Sequence, residues 1–124
     1  NPFSPSTKEA VISMFPGDAY VDLVGMDIYK APVPDFTDNY ELLKKLNKTI
    51  VVAECGDDID NQGKKVLDEV EVVKKYRGKA AYFMQWHSWY NPRLKVKVRR
   101  AIIDNPNAKE MMFHPSAVTL DDMK

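Results

Sequence analysis

Five side chains that could do chemistry stand where three apolar segments end: Asp27, Tyr29, Glu54, Trp86 and His87. A carboxylate at the end of an apolar segment has lost much of its water, so it needs a cation, a hydrogen-bond partner or a catalytic role. Aromatic rings stack on the faces of pyranose sugars, and carboxylates accept hydrogen bonds from sugar hydroxyls. If the fold brings the three ends together, these residue types favour a carbohydrate site.

Structural roles are the alternative for several of these residues. An Asp at the end of a strand often caps a helix or a loop, so the residue type alone leaves Asp27 open between the two roles. Glu54 follows the run Thr-Ile-Val-Val-Ala, where a capping role is harder to find, and we interpret it as functional. Trp86 taken alone is more typical of a core residue, because Trp contributes heavily to core packing.

The histidines, the cysteine and the acidic stretch of the sequence do not form a metal-binding motif. His87 and His114 are far apart in sequence, and the acidic stretch Asp57–Asp60 lacks the Gly and the terminal Glu of a calcium-binding loop. Cys55 is the only cysteine, so the sequence predicts neither a disulfide framework nor a Cys-rich zinc site. We expect Cys55 to act as a small buried hydrophobe, and we expect no metal and no cofactor.

The charge balance excludes several kinds of partner. The 124 residues include 18 Lys or Arg and 18 Asp or Glu, which gives a formal net charge of zero. Nucleic acids and anionic membranes attract proteins with an excess of basic residues, so we expect neither as a partner. No apolar run approaches the roughly 20 residues that a membrane-spanning helix needs. The length suits one domain of roughly 100–150 residues, and we expect residues 1–124 to form a single unit.

The hydrophobic pattern predicts helices and strands in the order α-β-α-β-α-β-α. Short runs rich in Val, Ile and aromatic residues are typical of strands, and apolar residues three or four positions apart are typical of helices. The predicted strands are Tyr20–Tyr29, Thr49–Glu54 and Ala80–Trp86. The predicted helices are a short one that follows the capping box at Ser6 and ends near Phe15, then Asp35–Asn47, Asn61–Tyr76 and Arg93–Asp104.

The last third of the chain carries two further expectations. Because the net charge is zero, we expect the basic residues of the last predicted helix to form a solvated face: Lys95, Lys97, Arg99 and Arg100. The tail holds one apolar segment, Met111–Phe113, which we expect to dock on the rest of the chain.

Strands that alternate with helices at intervals of about 30 residues form parallel sheets with right-handed crossovers, as in doubly wound sheets and TIM barrels. In both folds the chemistry lies at the carboxyl ends of the strands. Neighbouring strands lie about 4.8 Å apart, so Asp27 or Tyr29 would reach Glu54 if the first two strands pair. Trp86 and His87 would then line the same rim.

These segments resemble glycoside hydrolase family 26, which consists chiefly of retaining β-mannanases built on a TIM barrel. Phe15–Tyr29, FPGDAYVDLVGMDIY, is similar to the family's sixth-strand segment, and Ala53–Gly56 is similar to its seventh. Tyr82–Trp86 resembles the eighth strand, and His114–Met123 resembles the closing segment. The resemblance implies an α/β fold of parallel βαβ units that correspond to the last three strands, sixth to eighth, of a (β/α)8 TIM barrel. The chain would then be the carboxyl-terminal part of a catalytic domain, that is, a partial barrel.

The resemblance also implies roles for the five residues at the strand ends. Glu54 would be the catalytic nucleophile, and Tyr29 would orient it through a hydrogen bond. Asp27 would support the sugar-binding site, and Trp86 would stack on the sugar at the cleavage point. His87 would contact substrate as well, but it stands where mannanases commonly carry Arg, which bears on the preference for mannose rather than on glycosidase activity.

One carboxyl group is missing from this implied site. Retaining hydrolysis uses two carboxyl groups about 5–5.5 Å apart, a nucleophile and an acid/base. The family's acid/base lies on its fourth strand, which nothing in this chain resembles, and three strands cannot close an eight-stranded barrel. The other glutamates all fall on predicted helices or in the tail: Glu9, Glu41, Glu69, Glu71 and Glu110.

The resemblance therefore implies part of a retaining endo-β-glycosidase, β-mannanase-like, that hydrolyses plant-type β-linked polysaccharides and is secreted or periplasmic. Its partners would be the polysaccharide or oligosaccharide substrate and either the missing amino-terminal half or a second copy of the chain. Without such a complement we expect the chain to be inactive. Two alternatives remain: a non-catalytic carbohydrate-binding module whose platform is Tyr29, Trp86, Trp89 and Tyr90, and a half-barrel that dimerises to cover its sheet edges.

Overall fold

The three apolar runs form a parallel three-stranded sheet in the order β1-β2-β3. In this computed structural model, which describes residues 10, 13–29, 33, 35, 37–56 and 67–123, the strands are β1 (Leu23–Tyr29), β2 (Thr49–Gly56) and β3 (Phe83–Gln85). The central strand buries consecutive residues, Ile50, Val51 and Val52, as expected of a strand covered on both faces. The prediction of a mixed α/β fold with parallel strands is confirmed.

One extra residue in β2 sets the register at the end of the sheet. Met26 lies opposite Val52, but the next residue of β1, Asp27, lies opposite Glu54, so Ala53 is left unpaired as a bulge. Because side chains alternate between the faces of a strand, a regular register would place Ala53 opposite Asp27 and turn Glu54 to the other face. The bulge therefore brings Glu54 to the face that carries Asp27 and Tyr29.

Two helices lie between the strands of the sheet in the chain order, and a third follows the last strand. They are α1 (Thr37–Lys44), α2 (Glu69–Tyr76) and α3 (Ala108–Met112), with short 3-10 turns at Asp18–Tyr20, Ile102–Asp104 and Leu120–Met123. The side chain of Asp68 caps α2 by accepting a hydrogen bond from the backbone of Glu71 at 3.1 Å. Gly78 follows α2 with a φ of 71°, in open space, so it ends the helix through its backbone conformation.

Some predicted features lie outside the described residues. They include the capping box at Ser6, the acidic stretch 57–60 and the first part of the predicted helix 61–76. None of the helices in the described part of the chain has the length and apolarity that a membrane crossing requires.

Two apolar clusters hold the helices to the sheet. The larger one combines residues of β1 and β2 with residues of α1 and α2 and with Leu67, two positions before α2: Val24, Met26, Ile28, Leu43, Ile50, Val52, Cys55, Leu67, Val72 and Tyr76. The smaller one joins Val70 and Val73 of α2 to Met111 of α3. Met111 therefore docks as expected of the tail segment, whereas Phe113 is 80% exposed and does not.

The prediction of a helix over Arg93–Asp104 is wrong. The structure instead has an antiparallel hairpin of β4 (Trp89–Asn91) and β5 (Val96–Val98), in which Trp89 lies opposite Val98. The four-residue spacing of Leu94, Val98 and Ile102 imitates a helix, but the apolar residues of β5 alternate with lysines, which is the period of a strand.

The turn of this hairpin has its own side-chain support. The Asn91 side-chain oxygen accepts hydrogen bonds from the backbone of Arg93 at 3.1 Å and of Leu94 at 3.2 Å. Lys95 adopts a φ of 53°, in the left-handed region, where the chain reverses into β5.

The prediction that four basic residues form a solvated helix face is also wrong in part. Lys95, Lys97 and Arg99 are exposed on the hairpin, but Arg100 is only 6% exposed. Because the hairpin folds back towards the carboxyl ends of the parallel strands, it carries Arg100 inwards instead of into solvent.

Candidate active site

The ends of β1 and β2 bring a phenol and a carboxylate together. The Tyr29 hydroxyl donates a hydrogen bond to Glu54 Oε2 at 2.7 Å, and Asp27 lies opposite Glu54 in the strand register. A contact of this length is typical of a hydroxyl that donates to a charged carboxylate. The three residues predicted from the two strand ends therefore lie side by side at one edge of the sheet.

The surroundings of Tyr29 favour a protonated phenol next to the Glu54 carboxylate. Burial raises the pKa of Tyr29 well above its ordinary value, and the hydrogen bond to Glu54 and its charge raise it further. Burial, followed by the charge of Glu54, also raises the pKa of Asp27. Tyr29 is thus fixed as a hydrogen-bond donor at neutral pH, and its hydroxyl is directed at one oxygen of the Glu54 side chain.

A row of rings follows the third strand. The backbone of Trp86 donates to the Cys55 carbonyl at 2.9 Å, which places this tryptophan beside the residue that follows Glu54. The ring of His87 lies 5.0 Å from that of Trp86 and 5.9 Å from that of Trp89, measured between centroids. The sequence analysis named Trp86 and His87 at the end of the third strand and Trp89 in the platform of the binding-module alternative. Such a row suits stacking on successive sugar faces.

The sequence analysis missed Arg100 as a residue of this edge. Its guanidinium carbon lies 5.1 Å from the centroid of the Tyr29 ring and 5.0 Å from that of Trp89. The Ser88 hydroxyl accepts hydrogen bonds from the backbone of Arg100 and Ala101, at 2.8 and 2.9 Å. The alternation of valine and lysine through β5 was the signal that could have identified the hairpin and its inward turn.

Gly56 was also missed as a site residue, and its role is to leave space. A Cβ atom there would lie 3.0 Å from two ring carbons of Tyr29 and 3.2 Å from the Arg100 side chain. Both neighbours therefore pack directly against the backbone at the end of β2, and glycine permits that approach.

A second carboxyl group is buried behind the strand ends. The Glu69 side chain is fully buried, and its Oε1 accepts a hydrogen bond from the Asn105 side chain at 2.7 Å. Burial raises the pKa of Glu69 to about 7, against the opposing hydrogen bonds from Asn105 and Gln85. Among the described residues, three buried acceptor atoms of this cluster lack a partner: Glu69 Oε2, Gln85 Oε1 and Asn105 Oδ1. A proton on Glu69 would add one further donor to this set.

Cys55 behaves as a core residue. It is fully buried, and burial, with a smaller contribution from the charge of Glu69, raises the pKa of its thiol to about 12. A thiol of this kind is a poor nucleophile. Within the described ranges, no three His, Cys, Asp or Glu side chains converge as metal ligands do.

Comparisons with known proteins agree with this geometry. Residues 2–121 match the family described as glycosyl hydrolase family 26. The chain is also 28% identical over 92 residues to the mannan endo-1,4-beta-mannosidase A and B of Caldalkalibacillus mannanilyticus, an alignment that covers 73% of this chain and 18% of that protein. The chain thus matches less than a fifth of that relative's length, and no solved structure is significantly similar to it. Because the family match covers nearly all of the sequence, the resemblance seen in the strand-end motifs is confirmed: the chain belongs to glycosyl hydrolase family 26.

Proposed function

We propose that this chain carries the nucleophile, but not the acid/base, of a retaining endo-β-glycosidase that acts on plant-type β-linked polysaccharides in the manner of a β-mannanase. The observation that carries the proposal is the 2.7 Å hydrogen bond from Tyr29 to Glu54 at the carboxyl ends of two paired parallel strands. Family membership and the mannanase relative support the choice of reaction and of substrate class.

The reaction assigns a separate role to each strand end. Glu54 attacks the anomeric carbon and forms a glycosyl–enzyme ester, while the leaving oxygen takes a proton from an acid supplied from outside this chain. Water then attacks the anomeric carbon and gives a proton to the same outside group, now a base, as the ester bond to Glu54 breaks. Tyr29 holds the attacking carboxylate, Asp27 supports the sugar hydroxyls, and Trp86 with His87 forms the apolar wall against which the sugar stacks.

The proposed place of the sheet in a complete enzyme follows from its open edges. We assign β1, β2 and β3 to the sixth, seventh and eighth strands of a barrel, with residues 1–124 as one carboxyl-terminal unit. Within the described residues, β1 and β3 each pair with a neighbour on one side only. Leu23 of β1 and Met84 of β3 are exposed, as is Tyr82 just before β3. The complement is the amino-terminal half of such a barrel, or a second copy of this chain that covers the same edges.

Covalent trapping tests the nucleophile without the missing acid. A 2-deoxy-2-fluoro-β-mannosyl fluoride has a leaving group that departs without protonation, and its glycosyl–enzyme ester turns over slowly. We expect mass spectrometry of the treated chain to show one added fluorosugar, located on Glu54 by peptide mapping. Glu54→Gln should take up none, and Glu41→Gln, an exposed helix substitution, should label like the unmodified chain.

Absence of the label from Glu54, in a folded chain and over a range of reagent concentrations, would contradict the proposal. The row formed by Trp86, His87 and Trp89 favours one second candidate, a non-catalytic carbohydrate-binding module. Binding of manno-oligosaccharides that survives Glu54→Gln, together with absence of labelling, would support that function instead.

A further inference from the structure

Arg100 is a buried cation placed between the nucleophile and the row of rings. Only 6% of it is exposed, and its guanidinium lies about equally far from the Tyr29 and Trp89 rings, at 5.1 and 5.0 Å. A planar guanidinium prefers to lie against aromatic faces, and it loses little freedom when it is held there. This side chain therefore connects the hairpin to the end of β1.

The position of Arg100 is fixed by its backbone. The Ser88 hydroxyl accepts from the Arg100 and Ala101 amides, and the hairpin pairs Trp89 with Val98. Arg100 lies two residues after β5, and these two hydrogen bonds tie its backbone to Ser88, directly before β4.

The Tyr29 ring is confined by the same packing. Gly56 approaches Tyr29 and the Arg100 stem so closely that a methyl group there would meet both, at 3.0 and 3.2 Å. The Tyr29 ring thus packs against the backbone at the end of β2 and also lies under the Arg100 guanidinium. The Tyr29 hydroxyl makes the 2.7 Å hydrogen bond to Glu54.

We propose that Arg100 is a positioning residue: stacked between Tyr29 and Trp89, it holds the phenol in the orientation that directs the Glu54 carboxylate, and it ties the ring-bearing hairpin to the nucleophile. This inference rests on the proposed role of Glu54 as the nucleophile, and it adds a residue that the motifs of the strand ends do not contain. Loss of the stack should misdirect Glu54 more than it weakens sugar binding.

The test compares Arg100→Met, Arg100→Lys and the control Arg99→Met in the full chain. Arg99 is the exposed neighbour, so its substitution removes the same charge without touching the stack. The first readout needs no reaction: protein made with ζ-13C-tyrosine gives one signal for Tyr29, assigned by its absence in Tyr29→Phe. We expect this signal to move in Arg100→Met, to move less in Arg100→Lys, and to stay in place in Arg99→Met.

The second readout is the rate of labelling by the fluoromannosyl fluoride. We expect Arg100→Met to lower the maximal labelling rate by about 10- to 100-fold, the range that follows from disturbing one hydrogen bond to a charged group, with little change in the reagent concentration for half-maximal rate. Arg100→Lys should recover part of the rate, because an ammonium keeps the charge but not the planar stack.

The outcomes separate this inference from the proposed function. If the unmodified chain is not labelled, the nucleophile assignment fails, and the Tyr29 signal alone decides whether Arg100 holds the phenol. If the chain is labelled but Arg100→Met matches Arg99→Met in both signal and rate, the role of Arg100 is overturned. Should Arg100→Met not fold, Arg100→Lys decides by the same two readouts. If Arg100→Met raises only the reagent concentration for half-maximal labelling and leaves the maximal rate unchanged, Arg100 has a substrate-binding role. That outcome would also overturn its role as a positioning residue.

Discussion

Replacing Glu69 with Gln is expected to stabilise the chain by about 2–3 kcal/mol at about pH 8, and to change its free energy of unfolding little at about pH 4. In the folded chain, burial raises the pKa of Glu69 from 4.5 to about 7. The native state therefore binds a proton more tightly than the unfolded chain does. This contribution to stability is complete below pH 4.5 and is lost as the pH rises through about 7. A neutral amide at this position has no such loss.

Urea unfolding across this pH range measures the effect. The difference in free energy between Glu69→Gln and the unmodified chain should grow steadily as the pH rises. Glu71→Gln is the matched control, because Glu71 is an exposed glutamate in the same first turn of α2. This control measures what the loss of an exposed charge in this turn, paired with Lys74 at 2.7 Å, contributes by itself. Parallel curves for Glu69→Gln and the unmodified chain would show that Glu69 does not carry this proton.

The same cluster connects stability to the candidate site. Glu69 lies beside Gln85, the last residue of β3, and its charge reaches Cys55 in β2. Trp86 follows Gln85 directly and bonds to the Cys55 carbonyl. The buried Glu69 side chain thus lies next to the ends of the strands that carry Glu54 and Trp86.

Gly25→Ala is expected to destabilise the chain by about 1–3 kcal/mol, the range found when a methyl group is forced into a packed interior. A Cβ atom at Gly25 would lie 2.6 Å from Val51 Cγ2, 2.9 Å from the Val51 carbonyl oxygen and 3.1 Å from Ala53 Cβ. These contacts involve the backbone of β2 next to the bulge. To make room for the methyl group, β1 and β2 must therefore separate close to Glu54. Labelling of Glu54 should fall as well.

Chemical unfolding of four variants measures this prediction: Gly25→Ala, Val51→Ala, the double variant and Gly78→Ala. The double variant Gly25→Ala/Val51→Ala lacks the side-chain atom nearest to the new methyl group. Its loss of unfolding free energy should therefore be smaller than the sum of the losses in Gly25→Ala and Val51→Ala. Gly78→Ala is the contrasting case, because its position is open and only its φ of 71° disfavours alanine. Its cost should be about 1 kcal/mol, without any effect on labelling. A Gly25→Ala chain of unchanged stability would contradict the close approach of β1 and β2.

The parallel sheet and the meeting of Tyr29 with Glu54 were predictable from sequence. Both depend on local signals: apolar runs of strand length, helical spacing between them, and polar residues placed where the runs end. Since parallel strands align their carboxyl ends, a few residues on each strand were enough to predict their neighbours.

The bulge at Ala53 and the hairpin could not be predicted in the same way. A bulge depends on how two strands pack and pair with each other, and the residues Ala-Glu-Cys-Gly contain no local pattern that predicts it. The apolar residues of the stretch 93–104 fit both the period of a helix and the period of a strand. The hairpin is selected by the packing of Val98 and Arg100, which are both buried. The Glu69–Asn105 contact joins residues that are far apart in sequence, so no local pattern reveals it.

The most direct measurement of the central claim compares two substrates on the isolated chain. A dinitrophenyl β-mannoside has a leaving group that needs no acid, whereas mannan needs one. With the nucleophile present and the acid/base absent, we expect release of dinitrophenol that depends on Glu54, and no release of sugar from mannan. Hydrolysis of mannan by the folded chain alone, abolished by Glu54→Gln, would contradict the account. It would place an acid within this chain, with Asp27, which faces Glu54 and has a raised pKa, as the first residue to substitute.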